Sequence, residues 1–483
     1  MRTVVIGHGM AGARFGAELH SRAPQAKITV IGAEHHRPYN RILLSNLLAG
    51  KVSESDVGLA EVAGHGLDVR PGVTVTAVDR AAGTVTTSAE VVEEYDHLVL
   101  ATGSRAWIPP LSGIRGADDL PDRVAAFRTL DDCRRILASA EGARTALVLG
   151  GGLLGLEAAR GLAARGLDVT VLHPVGHLME RQLDPAAGAV LARTLADLGI
   201  SARLDTMATA VDAGRDGVTV RLADGAALAA DLLVLACGVR PDVDLARAAG
   251  LLVERAVVVD DRLRTSDRRI SAIGDCAQHA GSVSGLVAPA WEQARVLADV
   301  LAGADPLARY RPMPTVTRLK AAGIDLAAMG DPEPAGTGYE EVSFADPARR
   351  TYAKLVLDGD RLAGAILLGD NPAVGTVIQL FDRGAPVPAD RRALLLGRAG
   401  GGASVAPAET PALMPDAATV CQCNNVSKGA LVRCWRGGAR RLDEVVDRTR
   451  ATTGCGTCRD AVEGILGWLG SADAVADREV AVR

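Results

Sequence analysis

Four cysteines near the end of the sequence form two closely spaced pairs. Cys421 and Cys423 are separated by one residue, Cys455 and Cys458 are separated by two, and 31 residues lie between the pairs. Four thiolates at this spacing make a soft, strongly anionic site that suits Zn²⁺ or an iron–sulfur cluster. Eight cysteines in 483 residues are too few for a disulfide scaffold. We therefore predict that these four cysteines bind metal.

Two glycine-rich loops have the composition of dinucleotide-binding loops. Residues 7–12 are Gly-His-Gly-Met-Ala-Gly, and residues 150–155 are Gly-Gly-Gly-Leu-Leu-Gly. Each loop follows an apolar segment typical of a strand and precedes an alanine-rich segment typical of a helix, which is the context that the motif requires. Glycine permits a tight turn and lets a pyrophosphate approach the backbone N–H groups of the helix N-terminus. The alternative, two simple tight turns, does not explain why this context occurs twice.

The residues that follow the second strand of each repeat distinguish the two predicted sites. In the first repeat this strand is followed by Glu34, whose carboxylate can accept hydrogen bonds from an adenosine ribose. In the second repeat it ends at His173, which favours neither NAD nor NADP, and Arg181 is too far along the sequence to decide. Glu157 either favours the helix dipole from the first helical turn or faces a nicotinamide. Asp275 either holds a polyol chain or belongs to a common strand-end turn.

A repeated arrangement of strands and helices within the first 310 residues must position these loops. Each half is predicted to contain a strand, the glycine loop, a helix and a second strand, and then an apolar strand that ends in glycine, at Gly103 or Gly238. Strands that alternate with helices at this spacing favour doubly wound parallel sheets, an α/β fold. The predicted strands of the two halves are Thr3–Ile6, Lys27–Ile31, Leu98–Ala101, Thr145–Leu149, Asp168–Leu172 and Leu232–Cys237.

Composition and charge exclude several classes of protein. The formal net charge is −5 without a long basic run, so we expect no nucleic-acid binding. We expect no membrane span, since no apolar stretch is long enough, and the first residues lack the pattern of a secretory leader. With 48% hydrophobic and 23% charged residues, a folded, multi-domain, cytoplasmic protein is predicted.

Together these features resemble the flavoprotein reductases that bind one FAD and one NAD(P)H in two Rossmann-like domains of the glutathione-reductase type. Residues 38–45 (Pro-Tyr-Asn-Arg-Ile-Leu-Leu-Ser) and 287–294 (Val-Ala-Pro-Ala-Trp-Glu-Gln-Ala) are similar to the N-terminal part of NAD(P)H nitrite reductase large subunits and to the electron-transfer subunit of assimilatory nitrate reductases. The resemblance implies FAD contacts at Ala11, Glu34, Val75, Arg128, Asp275 and a turn from Val287 to Trp291. The other predicted cofactor-binding residues are Gly7, Gly9, Gly12, Arg41, Thr102, Gly103, Gly150, Gly152, Gly155, Glu157, His173 and Gly238.

Two departures from this class bear on the route of the electrons. Ferredoxin-type reductases usually place a lysine after the Leu-Ser pair, whereas here Ser45 is followed by Asn46. No cysteine precedes Cys133, so the thiol relay of the disulfide reductases is not expected. Electrons are expected to leave the flavin by another route.

The cysteine pairs resemble the bacterioferritin-associated-ferredoxin type of 2Fe–2S domain. The resemblance implies a 2Fe–2S cluster, and a structural zinc site is the alternative. Cys434, beside Trp435, is predicted to pack in the core of this domain. The neighbouring arginines are predicted to form a solvated helical face, with docking of an acidic partner as the alternative; they are Arg433, Arg436, Arg440, Arg441, Arg448 and Arg450.

The predicted domain organisation follows from these motifs. The FAD-binding domain comprises residues 1–110 and 240–310, and the NAD(P)H-binding domain comprises residues 111–239. Residues 311–398 alternate short apolar strands with turns and are predicted to form a small α+β domain. Residues 399–418, rich in Ala, Gly and Pro, are predicted to be a linker, and residues 419–472 a small, mainly helical 2Fe–2S domain.

The predicted function is an NAD(P)H-oxidising electron-transfer flavoprotein. FAD takes a hydride from NAD(P)H, and the 2Fe–2S cluster passes electrons to a partner. No catalytic side chain is predicted, because hydride transfer to flavin needs no acid or base. The resemblance implies as partner the catalytic subunit of a molybdenum-containing nitrate reductase, since no sirohaem-binding cysteines follow Cys458. The alternatives are an FAD and iron–sulfur subunit of an amine or opine oxidase, or a redox sensor without turnover.

Overall fold

The computed structural model describes residues 1–59, 67–116, 119–312, 315–319, 321, 323–371, 373–396, 411, 414–416, 418–421, 426–452 and 458–481. The chain forms two compact units, Met1–Leu395 and Leu396–Arg483. Among these described residues, none of the helices is both long enough and apolar enough to cross a membrane. The predicted linker 399–418 lies largely outside the described residues.

The first glycine loop follows the central strand of a five-stranded parallel sheet. The central strand Arg2–Ile6 is buried from Thr3 onward, as expected for an inner strand of a covered parallel sheet. The helices Met10–Arg22 and Val287–Ala302 pack against each other. In spatial order the strands are Ile270–Ala272, His97–Leu100, Arg2–Ile6, Lys27–Gly32 and Leu67–Pro71.

A second five-stranded parallel sheet repeats this plan around the second loop. Its middle strand, Thr145–Leu149, is followed by the helix Leu153–Ala164, just as the first repeat continues into its own helix. The duplication and the two Rossmann-like domains predicted from the sequence are thereby confirmed. The strands in order are Ile200–Arg203, Asp168–Leu172, Thr145–Leu149, Leu232–Leu235 and Val124–Ala126, and the other helices are Leu130–Ala140 and Pro185–Asp197.

Two- and three-stranded sheets and short helices complete this part of the chain. Strands Ser104–Ala106 and Val239–Pro241 pair with each other where the chain passes between the two repeats. The short helices are Leu44–Leu48 and Asp244–Ala248. The remaining strands are Val75–Asp79, Thr84–Thr87 and Val92–Glu94 in one sheet, Ala208–Ala213, Val218–Leu222 and Ala227–Ala230 in another, and Val257–Val259 paired with Ala277–His279.

Residues 316–396 form an α+β region around one antiparallel sheet. Helix Val374–Arg383 packs on the sheet through Val377 and Phe381, and helix Arg392–Leu396 contributes Leu394 to the same core. A buried ion pair, Lys354 Nζ to Asp184 Oδ2 at 3.4 Å, joins this region to the second repeat. The strands in order are Val316–Arg318, Leu326–Gly330, Arg361–Leu368, Thr351–Asp358 and Tyr339–Asp346.

The second compact unit is small and mainly helical. A two-stranded sheet, Thr419–Cys421 with Val426–Ser427, precedes helices Lys428–Arg436 and Leu442–Thr449. The last helix, Arg459–Ala481, continues beyond residue 472, the predicted end of this domain. Val462, Ile465 and Leu469, spaced three and four residues apart, place its apolar face in the core.

A buried histidine in the first sheet makes stability depend on pH. His97 is 7% exposed, and its Nε2 lies 3.0 Å from Ser271 Oγ. Burial lowers the pKa of His97 to about 4. The unfolded chain binds a proton below about pH 6.5 and the folded chain does not, so the folded state loses stability as the pH falls from 6.5 toward 4.

We expect this loss to reach about 3 kcal/mol at pH 4. Thermal unfolding of wild type and His97→Gln, measured from pH 7.5 to 4.5, checks it. The variant should show a shallower fall of the midpoint temperature in acid. Equal slopes for both proteins would show that His97 is not the responsible group.

Candidate functional site

The first glycine loop leaves an open, uncapped helix N-terminus. Gly7 has φ +111°, and a Cβ at this position would lie 2.1 Å from the Ala101 carbonyl oxygen. A Cβ on Gly12 would lie 1.9 Å from the carbonyl oxygen of Gly7, so glycine is required at both positions. Gly9 caps helix Met10–Arg22 without a side-chain hydrogen bond, and the first turn holds no acid. The free N–H groups and the helix dipole therefore favour an anion here.

This loop lies at the edge of a cavity of about 510 Å³. The cavity is formed where the carboxyl ends of the first sheet's strands meet, with one wall from the segment before helix Val287–Ala302. Such a crevice at the strand ends of an α/β sheet is where ligands bind. The predicted residues that line it are Gly7, Gly9, Ala11, Glu34, Arg41, Val75, Thr102, Gly103, Arg128, Asp275 and Val287.

The carboxylate of Glu34 is held in place by two neighbours. Tyr39 Oη donates to Glu34 Oε2 at 2.7 Å, and Arg41 donates to Oε1. Tyr39 Oη also accepts from the Leu130 N–H at 3.0 Å. Burial raises the pKa of Tyr39, which keeps its phenol protonated as a donor. Glu34 thus lines the cavity as an oriented hydrogen-bond acceptor.

A second group of polar side chains also lines the cavity. Arg128 donates to Asp275 Oδ2 at 2.7 Å and to Ser104 Oγ at 2.6 Å, and the Ser104 hydroxyl donates to the same Oδ2 at 2.7 Å. The Arg128 and Asp275 side chains are 22% and 18% exposed, so the pair is partly desolvated but reachable. Asp275 keeps its second carboxylate oxygen, Oδ1, to accept a hydroxyl of a bound polyol.

Cavity residue His8 supports the fit of this site to a dinucleotide. Its Nδ1 is buried and has no hydrogen-bond partner among the described residues. Burial lowers the pKa of His8, so the ring is neutral near pH 7. An unpartnered polar atom beside an uncapped helix N-terminus is what a site for a polar, anionic ligand leaves in its absence. The residues present therefore fit FAD.

Some predicted contacts of the first site are placed elsewhere. Gly12 and Trp291 do not line the cavity. The segment from Val287 to Trp291 is not a turn, because it forms the start of helix Val287–Ala302. The Trp291 indole N–H donates to the Met10 carbonyl oxygen at 3.1 Å, so this side chain ties the two packed helices together. Pro289 is compatible with this first helical turn.

The second glycine loop has the same geometry as the first. Gly150 has φ +117°, and a Cβ there would lie 2.4 Å from the Ala236 carbonyl oxygen. A Cβ on Gly155 would lie 2.0 Å from the carbonyl oxygen of Gly150. Gly152 caps helix Leu153–Ala164 with no side-chain hydrogen bond and no acid in the first turn. This loop too is open to a pyrophosphate.

Three other predicted contacts of the second site need correction or closer description. Glu157 is not in the first helical turn: it is the fifth residue of helix Leu153–Ala164 and is 4% exposed, so the dipole argument does not apply. His173 is buried, with Nδ1 accepting from the Gly151 N–H and Nε2 near Glu180. Gly238, at φ +102°, lies outside the cavity of the first site.

The cysteines of the first compact unit do not offer a reactive thiol. Burial raises the pKa of Cys133 and of Cys237 to about 12, and burial also raises the pKa of Cys276. Thiolate is the nucleophilic form, so none of the three reacts readily at neutral pH. This agrees with a flavin site that does not relay electrons through a thiol.

Two of the four predicted metal ligands lie in the described residues. Cys421, at the end of strand Thr419–Cys421, is 1% exposed, and Cys458, just before the last helix, is 7% exposed. Both belong to the same core. Cys423 and Cys455 lie outside the described residues. Two buried cysteines in one core, one of them just before a helix N-terminus, fit an anionic cluster.

Cys434 and the neighbouring arginines are only partly as predicted. Cys434 is half-buried rather than fully buried, and with Arg433 and Arg448 it lines a shallow surface depression. Arg440 donates to the Trp435 carbonyl oxygen, so its charge is tied to its own domain.

Sequence reasoning missed the side chains that orient the predicted ones. Tyr39 hydrogen-bonds to Glu34, Ser104 hydrogen-bonds to Asp275, and Gln293 accepts the Gly274 N–H at 2.7 Å through Oε1. None of the three is predicted from the sequence to have a role. His8 is not among the predicted cofactor-binding residues, although a histidine between two glycines is a signal that the sequence shows. Ser104 and Gln293 carry no signal of their own, because their partners Asp275 and Gly274 lie 171 and 19 residues away, whereas Tyr39 is only five residues from Glu34.

Asp275→Ala is expected to weaken FAD binding about tenfold or more, because a charged acceptor is lost and Arg128 keeps no carboxylate partner at this position. The FAD-to-protein ratio after purification and the Kd for FAD, from fluorescence titration of apoprotein, measure it. Asp212→Ala, an exposed acid of another sheet, is the control. An unchanged Kd in Asp275→Ala would remove Asp275 from the site.

Three family models match successive parts of the chain. The model for pyridine nucleotide-disulphide oxidoreductases matches residues 1–294. That for the rubredoxin NAD+ reductase C-terminal domain matches residues 315–383, and that for the BFD-like 2Fe-2S binding domain matches residues 419–468. FAD, NAD(P)H and a 2Fe–2S cluster, as predicted from the sequence, are the cofactors these matches imply.

Individual proteins agree with the family matches. Nitrite reductase (NAD(P)H) from Bacillus subtilis is 37% identical over 469 residues, 96% of this chain and 57% of that protein. The assimilatory nitrate reductase electron transfer subunit from the same organism is 34% identical over 473 residues, 97% of this chain and 60% of that protein. The chain thus spans little more than half the length of these relatives.

A solved structure shows the same architecture. The covalent putidaredoxin reductase–putidaredoxin complex superimposes with a TM-score of 0.72 at 27% identity, covering 80% of this chain and 94% of that one. With two open glycine loops, a polar cavity and a cysteine-containing domain, the chain belongs to the pyridine nucleotide-disulphide oxidoreductase family, as an FAD- and NAD(P)H-dependent oxidoreductase with a BFD-like 2Fe–2S-binding domain.

Proposed function

We propose that this chain oxidises NAD(P)H and delivers the electrons, by way of FAD and a 2Fe–2S cluster, to a separate acceptor protein in nitrate or nitrite assimilation. The observation that carries the proposal is the presence, in one chain, of two open dinucleotide loops and of two buried cysteines, Cys421 and Cys458, in the core of a small domain. The printed names of the two Bacillus subtilis relatives support the assignment to nitrogen assimilation.

The residues of the first site would hold FAD. The N–H groups at the start of helix Met10–Arg22 would bind its pyrophosphate, Glu34 would accept the adenosine ribose hydroxyls, and Asp275 would accept a hydroxyl of the ribityl chain. Arg128 and Ser104 hold Asp275 in place. FAD supplies the ability to accept a hydride and to release electrons singly.

The second loop would hold the nicotinamide nucleotide, with its pyrophosphate on the N-terminus of helix Leu153–Ala164. We assign residues 1–110 and 240–310 to the FAD domain and 111–239 to the NAD(P)H domain. Cys421, Cys423, Cys455 and Cys458 would ligate the cluster. No side-chain acid or base is assigned, because the protein's part in hydride transfer is positioning.

The acceptor is proposed to be the catalytic subunit of a molybdenum-containing nitrate reductase. The test combines the purified chain, NADH or NADPH, nitrate and such a subunit from the same organism, and measures nitrite. Nitrite formation that requires both proteins supports the proposal. Reduced viologen added to the subunit alone shows that it is active. If that control works and the combined system forms no nitrite, the assignment of the acceptor is wrong.

A further inference from the structure

The two glycine loops differ by an exchange of histidine and glycine. Strand pairing places Gly32 and His173 at equivalent positions, each directly after the residue that pairs with the end of the central strand. A Cβ on Gly32 would lie 2.7 Å from the Cβ of His8, and a Cβ on Gly151 would lie 2.8 Å from the Cγ of His173. In each site one imidazole thus fills the gap between the loop and the end of the neighbouring strand. In the first site it is that of His8, which belongs to the loop, and in the second it is that of His173, which follows the strand.

In the second site this exchange brings a carboxylate to the strand end. The Gly151 N–H donates to His173 Nδ1 at 3.1 Å, so Nδ1 is the acceptor and the proton of a neutral ring is on Nε2. Nε2 lies 3.1 Å from Glu180 Oε2 and donates to it. The Glu180 side chain is 34% exposed and therefore accessible to a ligand.

A backbone contact fixes the same carboxylate independently. The Met179 N–H donates to the Gly151 carbonyl oxygen at 3.0 Å, and the Met179 side chain is fully buried. Met179 has φ +54°, a left-handed conformation that non-glycine residues rarely adopt and that is concentrated at functional sites. Glu180 is the next residue, so both its backbone and its carboxylate are tied to the glycine loop.

We propose that Glu180 selects NADH over NADPH. The inference rests on the proposed function, since it concerns the nucleotide that the second loop would bind. A carboxylate at the end of the second strand accepts the hydroxyls of the adenosine ribose and repels a 2′-phosphate. Here His173 directly follows that strand, and its imidazole holds the carboxylate of Glu180, which lies seven residues further along the chain. The opposing feature is a pair of exposed arginines, Arg181 and Arg203, which would attract a 2′-phosphate.

The test uses the full-length holoprotein, NADH, NADPH and the fragments ADP-ribose and 2′-phospho-ADP-ribose. Wild type should bind ADP-ribose about tenfold or more tightly than its 2′-phosphate and should show a similar preference in kcat/KM for NADH with ferricyanide. Glu180→Gln should reduce that preference about tenfold, through KM rather than kcat. Glu141→Gln, an exposed acid near the opposite edge of the same sheet, should change nothing.

A wild-type preference for 2′-phospho-ADP-ribose and NADPH would overturn the proposal and point to Arg181 and Arg203. An unchanged preference in Glu180→Gln with normal FAD content would overturn it as well. Fragment binding requires no flavin reduction, so the two failures are distinguishable: a preference for ADP-ribose without any reduction of the flavin would contradict the proposed function and leave the assignment of Glu180 standing.

Discussion

Gly152→Val is expected to give a protein that keeps its FAD and is no longer reduced by NAD(P)H. Gly152 has φ −81° and ψ 179°, which any residue adopts, and an added Cβ meets no atom of the described residues within 4 Å. Valine is therefore compatible with the fold. Its side chain occupies the space into which a pyrophosphate must come to reach the helix N-terminus.

The expected loss is about a hundredfold or more in the rate of flavin reduction, which corresponds to roughly 3 kcal/mol of lost nucleotide contacts. Anaerobic stopped-flow absorbance at the flavin band measures it, and dithionite should still bleach the flavin. The matched variant is Gly9→Val, since Gly9 has φ −83° and its added Cβ also meets nothing within 4 Å. Gly9→Val should be purified without flavin. The opposite pattern, flavin lost in Gly152→Val and kept in Gly9→Val, would mean that the two sites are assigned backwards.

Cys458→Ser is expected to abolish the 2Fe–2S signal and the delivery of electrons to the acceptor protein while leaving FAD bound. Cys458 lies in the core of the second compact unit, and the FAD cavity is lined by residues of the first. Serine is a poor ligand for iron in place of thiolate. Iron and acid-labile sulfide content, the electron paramagnetic resonance of the reduced protein and acceptor turnover measure the effect.

Ferricyanide reduction by Cys458→Ser should stay near the wild-type rate, because small acceptors take electrons from the flavin directly. Cys434→Ser is the matched control: it removes a thiol of the same domain that is half-buried at a surface depression and lies outside the two cysteine pairs. It should retain the cluster. If Cys458→Ser still drives the acceptor protein at the full rate, the cluster is not on the electron path.

The sequence by itself determined the repeated architecture and the positions of both loops. Glycine at 7 and 150 is required because each residue has a positive φ and a backbone carbonyl where a side chain would begin. Strand Arg2–Ile6 and its counterpart Thr145–Leu149 are apolar runs because both faces of a parallel sheet are covered. Constraints of this kind act within a few residues, so they leave a readable pattern. The spacing of the cysteine pairs is equally local.

Only the tertiary structure decided how the site side chains are oriented. Arg128 and Asp275 are 147 residues apart, and neither neighbourhood indicates the pairing. Trp291 was expected to contact a cofactor. Its indole N–H instead donates to the carbonyl oxygen of Met10, 281 residues away in the sequence, because the two helices pack against each other there. The carboxylate of the second site is absent from its usual sequence position and is supplied by Glu180 through His173. Hydrogen bonds between distant segments depend on how the sheets and helices pack. The order of side-chain types along the sequence shows no periodic pattern from which that packing can be predicted.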